Sequence, residues 1–131
     1  MTNFDIVIID DKEIDLMLIS RVVMKFFHDY KPIEYLSGTK AINDIYNSPH
    51  LKQKLIVFLD INMPEFSGWD FLEFLLKTPT KRVVHVCIVT SSVNLSDKKL
   101  AEKYPFVFDF LEKPVSIEDM RQIIENQAIF N

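Results

Sequence analysis

The chain has 131 residues, 48% of them hydrophobic, and a formal net charge of −4. That length suits one domain able to bury roughly two-thirds of its unfolded surface, and the composition excludes a disordered chain. The acidic balance argues against nucleic acid as a direct partner, since phosphate contacts need a basic face. One cysteine, Cys87, excludes an internal disulfide framework. No apolar run approaches a membrane span, and the start, MTNFDIVIIDD, lacks the basic flank of a signal peptide. A cytoplasmic protein without membrane contact is expected.

In chain order, Phe4 to Ile9 is a first strand, apolar on both faces, that ends on Asp10-Asp11. Helix 1 follows over roughly Glu13 to Phe27, with an apolar face assigned to Ile14, Met17, Leu18, Val22 and Phe26. After Lys31-Pro32 comes a short strand, Ile33 to Leu36. Ser37-Gly38-Thr39 opens helix 2, which carries Ala41, Ile42 and Ile45 and stops before Ser48-Pro49. Leu55 to Leu59 is strand 3, ending on Asp60. Met63-Pro64 and Ser67-Gly68 form a loop, and helix 3 runs from Trp69 to about Lys77. Strand 4, Val83 to Val89, is rich in β-branched residues and ends on Thr90. Helix 4 spans roughly Leu95 to Lys103. Strand 5, Phe106 to Leu111, ends near Glu112-Lys113-Pro114, and helix 5 starts at Ser116 with an apolar face of Ile117, Met120, Ile123 and Ile124. No linker, repeat or low-complexity segment interrupts residues 1–131, which read as one domain.

Strict alternation of strands and helices implies parallel strands joined by right-handed crossovers, with helices on both faces. The expected fold is α/β, a flavodoxin-like (βα)5 doubly wound sheet with strand order 2-1-3-4-5. Asp109 in mid-strand suits strand 5 to an edge. The topological switch point then lies between strands 1 and 3, which end in Asp10-Asp11 and Asp60.

An aspartate at a strand tip ordinarily caps a turn or a helix, and Asp10, Asp11 or Asp60 taken singly could do no more. Together with Thr90 and Lys113 they converge on one end of the sheet from four different strand tips. Three adjacent carboxylates repel, and a hard divalent cation such as magnesium relieves that repulsion while leaving room for phosphate oxygens. Lys113 adds a compact positive charge and Thr90 a hydroxyl. A carboxylate nucleophile beside magnesium and a lysine suits phosphoryl transfer to aspartate.

The segments Ile8-Ile9-Asp10-Asp11, Leu59-Asp60-Ile61-Asn62-Met63-Pro64 with Gly68, Val89-Thr90-Ser91 and Lys113-Pro114 resemble the receiver domain of two-component response regulators over essentially the whole chain. The resemblance implies that Asp60 is the phosphoryl acceptor. It makes Asp11 a direct magnesium ligand, Asp10 a ligand largely through water, and Asn62 a ligand through its backbone carbonyl. Thr90 would bond the phosphoryl group, Lys113 would pair with it, and the Lys113-Pro114 bond would be cis. Phe110 would be the switch aromatic, lacking the hydroxyl of the tyrosine often found there. Ser91 would leave space for the phosphoryl group, while Ser92 and the Asn62 side chain would tune attack by water.

The resemblance further implies a phosphoprotein of bacterial-type two-component signalling rather than an enzyme acting on other molecules. Its donor would be a sensor histidine kinase or histidine phosphotransfer protein. Its output would be a protein target reached through the surface of helix 4, strand 5 and helix 5, which could also support a homodimer. No output domain is expected after helix 5, so a diffusible regulator and a relay intermediate both stay open. Other readings stand beside this one. An aspartate-nucleophile phosphatase would carry an acid two residues after its nucleophile, where this chain has Asn62. A flavodoxin would carry a Ser/Thr/Gly-rich loop where Lys12-Glu13-Ile14 sits. An interaction module that keeps the fold without phosphorylation is a further reading, and a failure to bind magnesium would favour it.

Overall fold

A computed structural model describes residues 3–131. The elements run β1 (Asp5–Ile9), α1 (Glu13–Met24), β2 (Ile33–Tyr35), α2 (Gly38–Asn47), β3 (Lys54–Asp60), α3 (Gly68–Lys77), β4 (Val83–Thr90), α4 (Leu95–Ala101), β5 (Val107–Glu112) and α5 (Ile117–Asn126), closed by a short 3-10 turn at Ala128–Phe130. The strands form one parallel sheet in the order β2-β1-β3-β4-β5, as the alternation predicts.

Two-residue periodicity sorts the central strands between two cores. Val7, Ile9, Leu55, Val57, Leu59, Val86 and Ile88 face one layer, built from Ala41 and Ile45 of α2, Phe71, Leu72 and Leu75 of α3, and Ala101 of α4. Ile6, Ile8, Ile56, Phe58, Cys87 and Val89 face the other, built from Leu16, Ile19 and Val23 of α1 and Met120 and Ile123 of α5. Both faces are therefore dry along β1, along β3 from Leu55 and along β4 from Val86, which is why these stretches read as apolar runs. Each fully buried large side chain stabilises the fold by roughly 1.5–3 kcal/mol. Cys87 is a small core residue, and burial pushes its thiol well above the ordinary range. Asp109 lies on the edge strand, as expected. A register shift against β4 there pairs Val86 with Val107 and Cys87 with Asp109, leaving Phe108 as the extra residue.

Several expectations need correction. Helix α1 ends at Met24 rather than Phe27, and the chain leaves it through turns to Asp29, whose φ of 63° is left-handed. Its buried residues are Leu16, Ile19, Ser20 and Val23, whereas Ile14, Met17 and Leu18 are exposed. The segment EIDLMLISRVVM is apolar on nearly every side, so periodicity alone left its phase open. Ile117 likewise lies outside the buried face of α5. Helix α4 stops at Ala101 rather than Lys103, and Lys103 reaches across to Glu73 of α3 at 2.8 Å. Neither Asp10 nor Asp11 caps α1, whose N-cap Lys12 makes no side-chain cap bond. Among the described residues, no helix is long and apolar enough to cross a membrane.

Candidate functional site

Each strand tip delivers its residue to the same rim. Asp10 follows β1, Asp60 closes β3, Thr90 closes β4, and Lys113 follows β5. The backbone ties these tips together: Asp10 N–H donates to the Tyr35 carbonyl (3.1 Å), Ile61 N–H to Val89 (3.1 Å) and Lys113 N–H to Thr90 (2.8 Å). Asp10, Asp60 and Thr90 are buried, and Asp11 is half-buried. Each of Asp10, Asp11 and Asp60 offers one carboxylate oxygen, all within 4.8 Å of one another.

The hydrogen bonds around these oxygens are uneven. Asp10 Oδ1 accepts from Lys12 N–H (2.9 Å), and its Oδ2 accepts from Lys113 Nζ (2.7 Å). Asp60 Oδ1 accepts from Asn62 N–H (3.1 Å) and lies 3.5 Å from Lys113 Nζ. Asp60 Oδ2 and Asp11 Oδ1 are buried with no hydrogen-bond partner. Buried polar atoms are rarely left unsatisfied, because each costs about 1–3 kcal/mol. Two such atoms in a cluster of three carboxylates fit a hard cation, which takes oxygen ligands and cancels like charge.

The electrostatics agree. Burial, and then the charge of Asp10, push the Asp60 carboxyl from 3.8 up to about 6, against the opposing pull of Asn62 N–H and Lys113. Burial works to discharge Lys113. Its hydrogen bonds to Asp10 and Asp15 and the charges of Asp10 and Asp60 outweigh that and hold it above the ordinary lysine value. With one lysine facing this many carboxylates, the pocket keeps a deficit of positive charge.

Helix α3 begins hard against the end of β3. Ser67 Oγ accepts from Asp70 N–H (3.2 Å) and Asp70 Oδ2 accepts from Ser67 N–H (2.9 Å), a reciprocal cap. A Cβ on Gly68 would lie 2.6 Å from Ile61 Cα and 2.8 Å from the Asp60 carbonyl, so only glycine allows this approach. Thr90 Oγ1 makes only long contacts, donating to the Ser92 carbonyl at 3.4 Å and accepting from Ser92 N–H at 3.3 Å. Ser91 and Asn62 are exposed at the mouth. The Lys113-Pro114 bond is cis, and Pro114 is exposed. Phe110 is half-buried on β5, beside Ile88 in register, and lines a groove with Val93, Glu112 and Ile123.

Two residues escaped the sequence reading. Asp15, in the first turn of α1, accepts from Lys113 Nζ at 3.0 Å. Its spacing of one helical turn from Asp11 was the available signal, but the partner lies 98 positions away. Glu112 accepts from Val93 N–H at 3.1 Å and so holds the β4–α4 loop; nothing local in the sequence announces that contact.

Comparison with known proteins gives a consistent assignment. Stress response regulator protein 1 of Candida tropicalis is 29% identical over 97 residues, covering 74% of this chain and 35% of that protein. This chain therefore spans about a third of the length of that relative. The probable methanogenesis regulatory protein FilR2 of Methanothrix harundinacea is 28% identical over 126 residues, covering 93% of this chain and 79% of its own. The crystal structure of a two-component response regulator from Legionella pneumophila superposes with a TM-score of 0.76 at 25% identity, covering 95% of this chain and 99% of that one. Such a range of sources does not single out bacteria. Residues 6–125 match the description of the response regulator receiver domain, and with the parallel sheet and acidic rim already in place, the chain belongs to that family of signalling proteins.

Proposed function

We propose that Asp60 accepts a phosphoryl group from a phosphohistidine on a sensor kinase or histidine phosphotransfer protein, in a magnesium-dependent reaction. The observation that carries this reading is the buried, partnerless Oδ2 of Asp60, in a cluster with Asp10 and Asp11 and beside Lys113. An Asp60 carboxylate oxygen forms the new bond to phosphorus as the bond from phosphorus to the donor imidazole breaks, and the imidazole leaves as a neutral ring after taking up a proton. Asn62 N–H fixes the carboxylate through Oδ1. Lys113 meets the charge gathering on the phosphoryl oxygens. Asp11, Asp60, the Asn62 backbone carbonyl and, through water, Asp10 would hold magnesium, which when bound supplies charge neutralisation for the carboxylates and the phosphoryl oxygens. Attack by water on phosphorus, with Ser92 and Asn62 at the mouth, returns the free carboxylate and inorganic phosphate. Ser91 leaves room for the group.

The donor needs a surface to lean on beside the mouth. The exposed Ile14, Met17 and Leu18 of α1, with Leu36 after β2, provide an apolar one. Signalling follows from Thr90. Its hydroxyl, held only by long contacts, turns to the phosphoryl group, and Phe110 packs into the space released. The surface of α4, β5 and α5, where Leu95 is 84% exposed, then changes shape for a protein target or a second copy.

The test is intact-protein mass after incubation with magnesium and acetyl phosphate. One base-labile phosphoryl adduct is expected, absent without magnesium and absent from Asp60→Asn. A full-yield adduct on Asp60→Asn would overturn the acceptor assignment.

A further inference from the structure

Lys113 does not sit squarely on the acceptor. Its ammonium is 2.7 Å from Asp10 Oδ2, 3.0 Å from Asp15 Oδ2 and 3.5 Å from Asp60 Oδ1, so it leans toward the α1 side of the pocket. An ammonium has three hydrogens, and two of them are engaged by Asp10 and Asp15. Asp10 is a fixed anchor, because its side chain is fully buried and its other oxygen is bound by Lys12 N–H. Asp15 differs. Its side chain is 23% exposed, so water can replace Lys113 when the contact opens. It shares a surface pocket with Lys113 and Pro114 that neither Asp11 nor Asp60 lines. It also lies outside the group of three carboxylates, so removing it takes no donor from the cation site.

Resting on the phosphoacceptor reading of Asp60, we propose that Asp15 is a positioning residue that competes with the phosphorylated aspartate for the Lys113 ammonium. In the resting protein Asp15 draws the ammonium toward α1, where the helix N-terminus favours a carboxylate. A phosphoryl group on Asp60 adds negative charge on the other side. The ammonium moves toward it by loosening its hold on Asp15, so the strength of that bond is subtracted from the hold on the phosphorylated state. Asp15 thereby weakens the active state without touching the reacting atoms.

The test uses beryllium trifluoride with magnesium as the phosphoryl mimic, titrated by calorimetry into wild type, Asp15→Asn, Asp15→Glu, Lys113→Ala and the double variant Asp15→Asn/Lys113→Ala. Asp15→Asn keeps side-chain volume on a half-exposed first turn. It should bind the mimic about tenfold more tightly, the gain from releasing one charge-assisted hydrogen bond. Asp15→Glu should return toward wild type, and in the Lys113→Ala background Asp15→Asn should change nothing. A purely structural role would not vanish with Lys113. Equal affinities of wild type and Asp15→Asn, or the same tightening without Lys113, overturn the proposal. If wild type binds no mimic, the acceptor reading fails and the competition falls with it. The contact itself is read separately in the ligand-free protein, where the Lys113 ammonium, still held by Asp10, should show a proton signal by NMR that exchanges faster with water in Asp15→Asn than in wild type.

Discussion

Two buried carboxylates stand at opposite ends of the same sheet. Asp5 opens β1 and Asp60 closes β3. Asp5 has both oxygens satisfied by neutral donors, Oδ1 by the Tyr30 hydroxyl (3.1 Å) and Oδ2 by Lys52 N–H (2.9 Å). Asp60 has one oxygen bound and one bare, with two further carboxylates within reach. Asp5 closes its network and welds the β1 end to the loop before β3. Asp60 keeps its network open, with a buried oxygen that no protein donor satisfies. A buried acid becomes a candidate for function through the unfinished state of its partners, more than through burial itself.

The sharpest way to break this comparison is Asp60→Asn, measured by urea unfolding without metal. A group whose folded pKa is raised favours folding only where it stays protonated, and that contribution is lost as pH rises through the folded value. The Asp60 carboxyl moves from 3.8 to about 6 in the fold, burial being the main cause. Its ionised form therefore opposes folding above that value. The substitution should stabilise the protein by up to about 3 kcal/mol at pH 8, with the gain shrinking through pH 6 and gone below about pH 4. Millimolar magnesium, by stabilising wild type, should erase most of the difference. An equal effect at pH 4 and pH 8 would mean that Asp60 is no more strained than Asp5.

At the other end the sign reverses. Asp5→Ala deprives the Tyr30 hydroxyl and the Lys52 N–H of this acceptor. It should destabilise the protein by about 2 kcal/mol, with or without magnesium. Burial pushes Tyr30 up to about 12, so it remains a neutral donor throughout the working range and the loss should hold between pH 6 and 9. Magnesium dependence of that loss would show that the two ends of the sheet are coupled.

The sequence made the open end legible and the closed end almost invisible. Asp10, Asp60, Thr90 and Lys113 could be gathered because alternation fixes the topology, and the topology brings the strand tips to one rim. Asp5, Tyr30 and Lys52 meet through side-chain and loop contacts that no period records. The same limit hid Asp15, whose role depends on a lysine from the far end of the chain. The error in α1 has another origin. Ile14, Leu16, Met17, Leu18, Ile19, Val22 and Val23 are all apolar, and a helix so uniformly apolar gives no phase. Its surplus apolar residues, Ile14, Met17 and Leu18, lie exposed on the surface.

Ser67 gives the finest test, because it belongs to the site end yet its hydrogen bonds are closed. It and Asp70 cap α3 reciprocally, a pattern readable from their three-residue spacing. Ser67→Ala should cost about 1 kcal/mol, a typical loss for a helix cap. The loop after Asp60 should nevertheless keep its place. Gly68 N–H still bonds the Ile61 carbonyl at 3.1 Å, and the close packing of Gly68 on Asp60 and Ile61 is untouched. Phosphorylation by acetyl phosphate should then stay within about twofold of wild type, as expected for a stabilising contact energetically separate from the reacting carboxylate. A much larger fall in rate, at the same modest loss of stability, would mean that the cap positions Asp60, and that the closed and open networks at this end are one.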